Sequence, residues 1–467
     1  MTTFSGNSRR AVALLCVAQF VVVLDVTVVT TALPALGHEL GFTPQGLPWV
    51  VTAYTLCFGG FLVVAGRTAD LLGSRRAFTV GLAGFTAASL LCALAWSDGV
   101  LIAFRALQGS GAALLSPAAL ALLTASTEEG AGRRWAVGVW TAAAAGGGAT
   151  GWLLGGLLTE YADWRWVFGI NVPVGLAVLP LVTAVLPRVP RQRAARLDVV
   201  GAAGVTVGLA SIVYGLTEAP AITAHPVRAL LPLLLGAVLL AVVLRRERRL
   251  PDPLLPTGLL AVRAVRGANL TAAAVTASTS PAMYLAVLYV QNVLHLPPGR
   301  AAGYFPVLNL TVIVGSLLGP RLLAVLTARW TAAGGFALIT AGCLVLTTLP
   351  TAGLPTGRLL AAFGLMGIGL GLASTASTAV GTEAAPAAHR GVAAGLLNAT
   401  AQIGTALGLA LVAPLASVGA PADPAGMRWG FVAAGLIAVL GLAGSRLLPA
   451  RRRGERDRAG TRAEAAR

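Results

Sequence analysis

Apolar residues fall along this chain in long unbroken runs, not in the alternation of a half-buried strand or the narrow stripe of a soluble helix. Runs of about 20 residues, the length a helix needs to cross a bilayer, are separated by proline, glycine or arginine clusters, and they predict fourteen membrane-spanning helices. The first six cover 11–33, 47–65, 77–96, 99–124, 135–158 and 164–186. Two more cover 199–217 and 227–244, and the last six cover 267–290, 301–325, 331–349, 358–380, 391–418 and 429–448. Arginine-rich loops at 187–198 and 245–256 bracket the seventh and eighth runs, so the order reads as six helices, an inserted pair and six more. The predicted organisation is an N-terminal half over 1–187, the pair within 188–250, a C-terminal half over 251–449 and an Arg-rich tail over 450–467. A six-plus-six arrangement suggests repeated halves with a substrate site between them near the bilayer midplane.

Composition agrees with an all-α polytopic membrane protein. The 467 residues are 56% hydrophobic and 11% charged, and the mean hydropathy is +0.80; a soluble chain of this length carries far more surface charge. The net charge of +17 would suit a nucleic-acid partner, but its arginines cluster between apolar runs, as in loops facing anionic lipid. With fourteen spans, 28 arginines fall on one side and five on the other, with Arg105 inside a span. That bias predicts that both termini are cytoplasmic. Arg9 and Arg10 before an apolar run resemble a signal peptide, yet 11–33 is too long for one and is read as an uncleaved first span. Cys16, Cys57, Cys92 and Cys343 all lie inside apolar runs without metal-ligand or disulfide spacing. Four histidines and no nucleotide loop argue against an enzyme, so no catalytic residue, metal or cofactor is expected.

Against this background Asp25 stands out. A carboxylate at mid-membrane costs about 2.5–3.5 kcal/mol on insertion scales and requires a partner, a wet cavity or a proton. Taking 1.5 Å per residue, Asp25 lies about 12 Å below the outer end of its span and Arg105 about 9 Å below the outer end of the fourth. Gln108, three residues from Arg105, shares its helix face. A structural ion pair and a titratable proton carrier both fit this placement.

Three further stretches are suggestive. In Gly66-Arg67-Thr68-Ala69-Asp70-Leu71-Leu72-Gly73-Ser74-Arg75-Arg76, two glycines allow a tight turn, and Asp70 can meet a helix N-terminus or an arginine. This is either a gate or a polar turn. Gly147, Gly151, Gly155 and Gly156 lie at spacings that let helices approach closely, and they serve either plain packing or a pliant hinge. Asn309, Thr311, Ser374, Thr375, Ser377, Thr378, Asn398 and Gln402 are polar groups in apolar spans, suited to a substrate or to a neighbouring helix. Trp49, Tyr54, Trp140 and Tyr284 could stack on a ligand or anchor a helix.

Taken together and in order, these stretches resemble the major facilitator superfamily, specifically its fourteen-span drug:proton antiporter branch. Residues 24–34 are similar to the L-D-x-T-V-V-N-V-A-L-P signature, with Thr30 and Thr31 departing. The 66–76 stretch matches G-x-L-A-D-R-x-G-R-K at Gly66, Ala69, Asp70, Gly73 and Arg75, and span four matches R-x-x-Q-G-x-G-A-A from Arg105 to Ala113. Asp163 to Gly175 resembles the W-R-W-x-F-x-x-N-x-P-x-G element, and Arg390 to Gly404 looks similar to its counterpart. The G-x-x-x-G-P-x-x-G-G motif is kept at its four glycines, with Trp152 where proline is usual. The second-half copy of the 66–76 stretch, from Gly319 to Arg329, lacks the aspartate.

The resemblance implies an alternating-access exporter of hydrophobic organic compounds, such as antibiotics, driven by inward proton flow. It implies a monomer in the plasma membrane whose partners are substrate, protons and lipid. Asp25 and Arg105 would couple protons, and Gly66, Asp70, Gly73 and Arg75 would form a cytoplasmic gate. Gly147, Gly151, Gly155 and Gly156 would form a helix hinge, with Gln108, Asn309, Asn398 and Gln402 at the substrate cavity. A proton-coupled importer or a uniporter of a small metabolite is the alternative, favoured by Trp152 and by the lack of carboxylates in spans nine to fourteen.

Overall fold

The structure is a computed structural model that describes residues 6–127, 131–187, 199–219, 225–249, 259, 261–350, 353–385, 390–417 and 424–450. Among these residues there is no strand, and there are fourteen helices of 15 or more residues. They are α1 Gly6–Glu39, α2 Trp49–Leu72, α3 Ser74–Ala93, α4 Asp98–Ala125, α5 Ala131–Tyr161, α6 Asn171–Val185 and α7 Val199–Thr217. The remainder are α8 Pro226–Glu247, α9 Arg263–Leu288, α10 Pro306–Val325, α11 Ala328–Thr347, α12 Thr356–Glu383, α13 Arg390–Val412 and α14 Pro424–Gly444. Each corresponds in order to one predicted run. Eleven of the described helices are long and apolar enough to cross a membrane, while α2 and α7 contribute shorter apolar stretches, Trp49–Leu62 and Ala203–Thr217. The exception, α5, is built at its centre from Ala142 to Gly148, whose small side chains dilute its hydropathy.

Small residues set the packing. A Cβ on Gly147 would strike the Phe20 carbonyl oxygen, one on Gly151 the Leu24 carbonyl oxygen, and one on Gly155 that of Val28. Both numbers rise together by a turn, so α5 lies parallel to α1 with backbones nearly touching. In the second half, Gly404 and Gly408 of α13 meet the Ala273 and Ala277 carbonyl oxygens of α9 in the same way. α3 and α4 cross at Gly81 and Leu115, and α11 and α12 cross at Gly335 and Ala373. The two six-helix sets thus share one packing plan. The pair α7–α8 is applied from outside: Leu209 and Val213 of α7 pack with Leu56 of α2 and with Ala406 and Ala410 of α13, and α8 leans on α7 through Gly236.

The largest buried apolar cluster belongs to both sets. Val28, Ala32 and Leu36 near the end of α1 join Ala282, Leu285 and Val290 of the α9 region and Phe305 before α10. Toward the opposite helix ends two further clusters are distinct among the described residues, although the first also takes in Ala399 of α13. Leu15, Phe78 and Leu122 belong to one, and Ala268, Ala332 and Ala376 to the other.

Candidate functional site

Five neighbouring segments converge on Asp25. It is fully buried on α1, and the Arg105 Nη1 on α4 donates to its Oδ2 at 2.7 Å. Its Oδ1 accepts from Gln108 Nε2 at 2.8 Å and from Asn171 Nδ2, at the start of α6, at 2.7 Å. Arg105 also donates from Nε to the Val50 carbonyl of α2 at 2.8 Å and from Nη1 to Gln108 Oε1. Gln108 Nε2 donates to Ser89 Oγ of α3 at 2.8 Å, and Ser89 in turn donates to the Phe85 carbonyl. The guanidinium is sandwiched, with its carbon 4.4 Å from the centre of the Tyr54 ring and 5.7 Å from that of Phe168. Asp25, Ser89, Arg105, Gln108 and Asn171 are each at most 1% exposed.

Local sequence explains the convergence. Arg105 and Gln108 stand three apart on one face of α4, and Gly109 beside them lets α4 close onto the Tyr54 backbone. That approach brings the Val50 carbonyl, one turn before Tyr54, within reach of Arg105. Ser97 caps α4, its Oγ accepting from Val100 N. An isolated charge here would be costly; a pair with its remaining donors and acceptors satisfied is tolerated, and removing one partner is expected to cost about 3–5 kcal/mol.

The structure thus brings Asp25, Arg105 and Gln108 together. Gln108, placed by the resemblance at the substrate cavity, has its amide committed to Asp25, Arg105 and Ser89. Ser89 and Asn171 are additional members, as is Tyr54 in a cation–π role. Asn171 was quoted only as part of the W-R-W-x-F-x-x-N element. Ser89 and Asn171 lie near the same helix ends as Arg105, so the depth argument applied to every polar residue would have collected them.

The other predicted groups lie elsewhere. The 66–76 stretch is not an extended loop, because α2 continues as helix through Leu72 and Gly73 alone reverses the chain, at φ 85°. The side chains at Gly66 and Asp70 lie outside the described residues. Arg75 Nη1 donates to the Leu186 and Thr183 carbonyls at 3.3 and 3.4 Å, closing the C-terminal end of α6. Gly147, Gly151 and Gly155 face α1, whereas Gly156 meets Pro298 and Ala302 of the other half. Asn309 abuts Gly148, Gln402 abuts Gly59 of α2, and Asn398 is exposed. Among the described residues no group of three or more His, Cys, Asp or Glu side chains could hold a metal ion.

Comparison with known proteins places this architecture. The family model for the Major Facilitator Superfamily matches residues 15–409 and, in a second overlapping stretch, 328–466. The chain is 38% identical to the cephamycin export protein CmcT of Amycolatopsis lactamdurans, covering 91% of this chain and 88% of the relative. It is 41% identical to the puromycin resistance protein pur8 of Streptomyces alboniger, covering 85% and 79%. It is 30% identical to the tetracenomycin C resistance and export protein of Streptomyces glaucescens, covering 88% and 76%. Among solved structures, the POT family transporter PepTSo superposes with a TM-score of 0.69 at 13% identity, covering 94% of this chain and 98% of that one. A bacterial homologue of the human lysosomal transporter Spinster, inward-facing and unoccupied, gives 0.66 at 16% identity, covering 96% and 98%. Two six-helix sets of like packing that share a core at one end, a further helix pair outside them, a buried ion pair within the first set, and these matches across most of the chain lead to one conclusion: this chain is a transporter of the Major Facilitator Superfamily.

Proposed function

We propose that the chain exports hydrophobic organic compounds, antibiotics among them, from the cell in exchange for protons. Export is supported by relatives named for the export of, or resistance to, cephamycin, puromycin and tetracenomycin C. Proton coupling is supported by one observation above all, the buried Asp25–Arg105 pair. Asp25 accepts three hydrogen bonds, one of them from the Arg105 guanidinium. A proton arriving on Oδ2 would remove the carboxylate's charge and set an O–H beside Nη1–H, so protonation weakens its hold on the guanidinium. Release frees Arg105 to re-pair and loosens α1, α4 and α6 together. Proton uptake and helix movement are thereby one event.

In this reading all fourteen helices span the plasma membrane of a monomer, with both termini in the cytoplasm and no cofactor beyond the proton gradient. The N-terminal half covers 1–187, the inserted pair 188–250, the C-terminal half 251–449 and the tail 450–467. The shared core then lies at the outer face and the two further clusters toward the inner face, in keeping with an inward-facing arrangement. Asp70 with Arg75 gates the cytoplasmic end, the α5 glycines let the halves rock, and Asn309, Asn398 and Gln402 face the substrate path.

The test is purified protein in liposomes with an imposed pH gradient, scanned with dyes and antibiotics for substrate-induced proton release. The wild type should release protons with substrate. Asp25→Asn, which keeps the shape of the site, should insert normally yet fall to less than about a tenth of that signal. Equal transport with and without the gradient would sink the antiport reading, and coupling retained in Asp25→Asn would assign the pair to structure alone.

A further inference from the structure

Outside the ion pair, the seam between α5 and α10 holds the most unusual chemistry. It closes in steps of one turn: Gly156 against Pro298 and Ala302, Trp152 against Phe305, and Gly148 against Asn309. The Trp152 and Phe305 rings are stacked with centroids 4.9 Å apart, and Phe363 of α12 stands behind Phe305 at 5.4 Å. Trp152 is only 4% exposed, and its Nε1–H finds no acceptor among the described residues. The Asn309 Nδ2, one turn along on the facing helix, is likewise buried and without an acceptor among them.

Packing alone does not account for this. A phenylalanine would fill the same stack without burying a donor, whereas an indole N–H kept from water and from acceptors bears its full desolvation cost. Two idle donors beside aromatic faces are suited to one kind of ligand, a flat ring carrying acceptor oxygens. We propose that Trp152 and Asn309 form a recognition subsite on the exit side of the substrate path, selective for flat aromatic compounds bearing carbonyl or hydroxyl oxygens. As the halves part at their joined end, Trp152 withdraws from Phe305 and a flat ring enters between them. Its oxygens accept from Trp152 Nε1 and Asn309 Nδ2. A purely apolar slot discriminates weakly between such compounds, but a slot with committed donors disfavours an analogue without acceptors strongly. The proposal rests on the export of organic compounds stated above but not on proton coupling.

The test is equilibrium binding to the full chain in lipid nanodiscs without a pH gradient. The probes are two fluorescent monocations, doxorubicin, whose flat rings carry carbonyl and hydroxyl oxygens, and ethidium, whose flat rings carry no oxygen. The wild type should bind doxorubicin more tightly. Trp152→Phe keeps the stack and removes the donor, so doxorubicin affinity should fall by about tenfold while ethidium changes by less than about twofold. Asn309→Ala should act in the same direction and more weakly. Equal changes for both probes, or wild-type affinity for doxorubicin no higher than for ethidium, would overturn the subsite. A chain that passes this test and fails in the pH-gradient assay keeps the subsite and loses only the antiport reading.

Discussion

The two halves solve the same packing problem with opposite chemistry. Counted from the matching contacts of α5 on α1 and α13 on α9, Ser278 stands where Asp25 does. Counted from the crossing of α3 with α4 and of α11 with α12, Phe363 stands where Arg105 does, Met366 where Gln108 does and Cys343 where Ser89 does. All four second-half residues are fully buried, as their counterparts are. Where the first half ties its helices with an ion pair and amide hydrogen bonds, the second fills the same places with apolar side chains and with a serine bonded to its own helix. An apolar core has a single well-packed state, while a polar network can exchange partners. On the proton-coupled mechanism proposed above, switching would belong to the N-terminal half, and the C-terminal half would be the body against which it moves.

Replacing the polar residues of the first half by those of the second should have the greatest consequence. Arg105→Phe alone strands Asp25 in a buried site, and a loss of about 3–5 kcal/mol is expected, seen as a lowered thermal unfolding midpoint in detergent. The triple variant D25S/R105F/Q108M copies three of the four C-terminal residues and leaves Ser89 in place. It should recover most of that stability, because apolar replacement of a whole buried pair is often neutral or stabilising. It should not recover proton-coupled transport. A triple variant as unstable as Arg105→Phe would show that the halves are not interchangeable at this level.

A smaller effect tests what the halves share. Gly151 and Gly408 occupy equivalent positions, and at each a Cβ would meet backbone of the partner helix. Gly151→Ala and Gly408→Ala should each cost about 1–3 kcal/mol by the same measurement, through displaced helices and not through lost chemistry. Unequal losses would mean that one of the two seams already gives way in this conformation.

Much of this was readable in the chain because depth in a membrane is linear in residue number. That is how Asp25 and Arg105 could be matched across eighty positions before any contact was known. Azimuth is another matter. Ser89 and Asn171 are at the right depth, yet a hydroxyl or amide in an apolar helix commonly bonds its own turn, as Ser278 and Ser89 both do, and only tertiary packing decides whether it also takes a partner from another helix. The same limit applies to Gln108, whose residue type fits a substrate as well as a carboxylate. The 66–76 stretch misleads for a backbone reason: its polar and glycine content reads as a loop, but only Gly73 adopts positive φ, and the rest of the turn of α2 remains helical. At the ion pair the correspondence of the halves is invisible in residue types, since Arg105 and Phe363 share nothing but a place in the packing.

The smallest expected effect lies at the joined end, where the same division of chemistry recurs. Glu160, at the end of α5, accepts from the Gly299 backbone N–H at 2.6 Å, while Gln291 of the second half donates to the Thr31 carbonyl at 2.9 Å. The charge again comes from the N-terminal half, and the second half offers neutral groups. A carboxylate acceptor makes such a bond roughly twice as strong as a neutral one, and an amide in its place still accepts. Glu160→Gln should therefore weaken the closure by about 1 kcal/mol, shifting the balance of open and closed forms at this end about fivefold. Spin labels at Trp96 and Leu354, exposed positions at this end of the two halves, would report the shift as a larger long-distance population. Gln291→Leu, which removes a neutral donor, should produce a smaller shift in the same direction. If the two variants open the seam equally, charge is not what distinguishes the halves here, and the contrast between them ends at the buried ion pair.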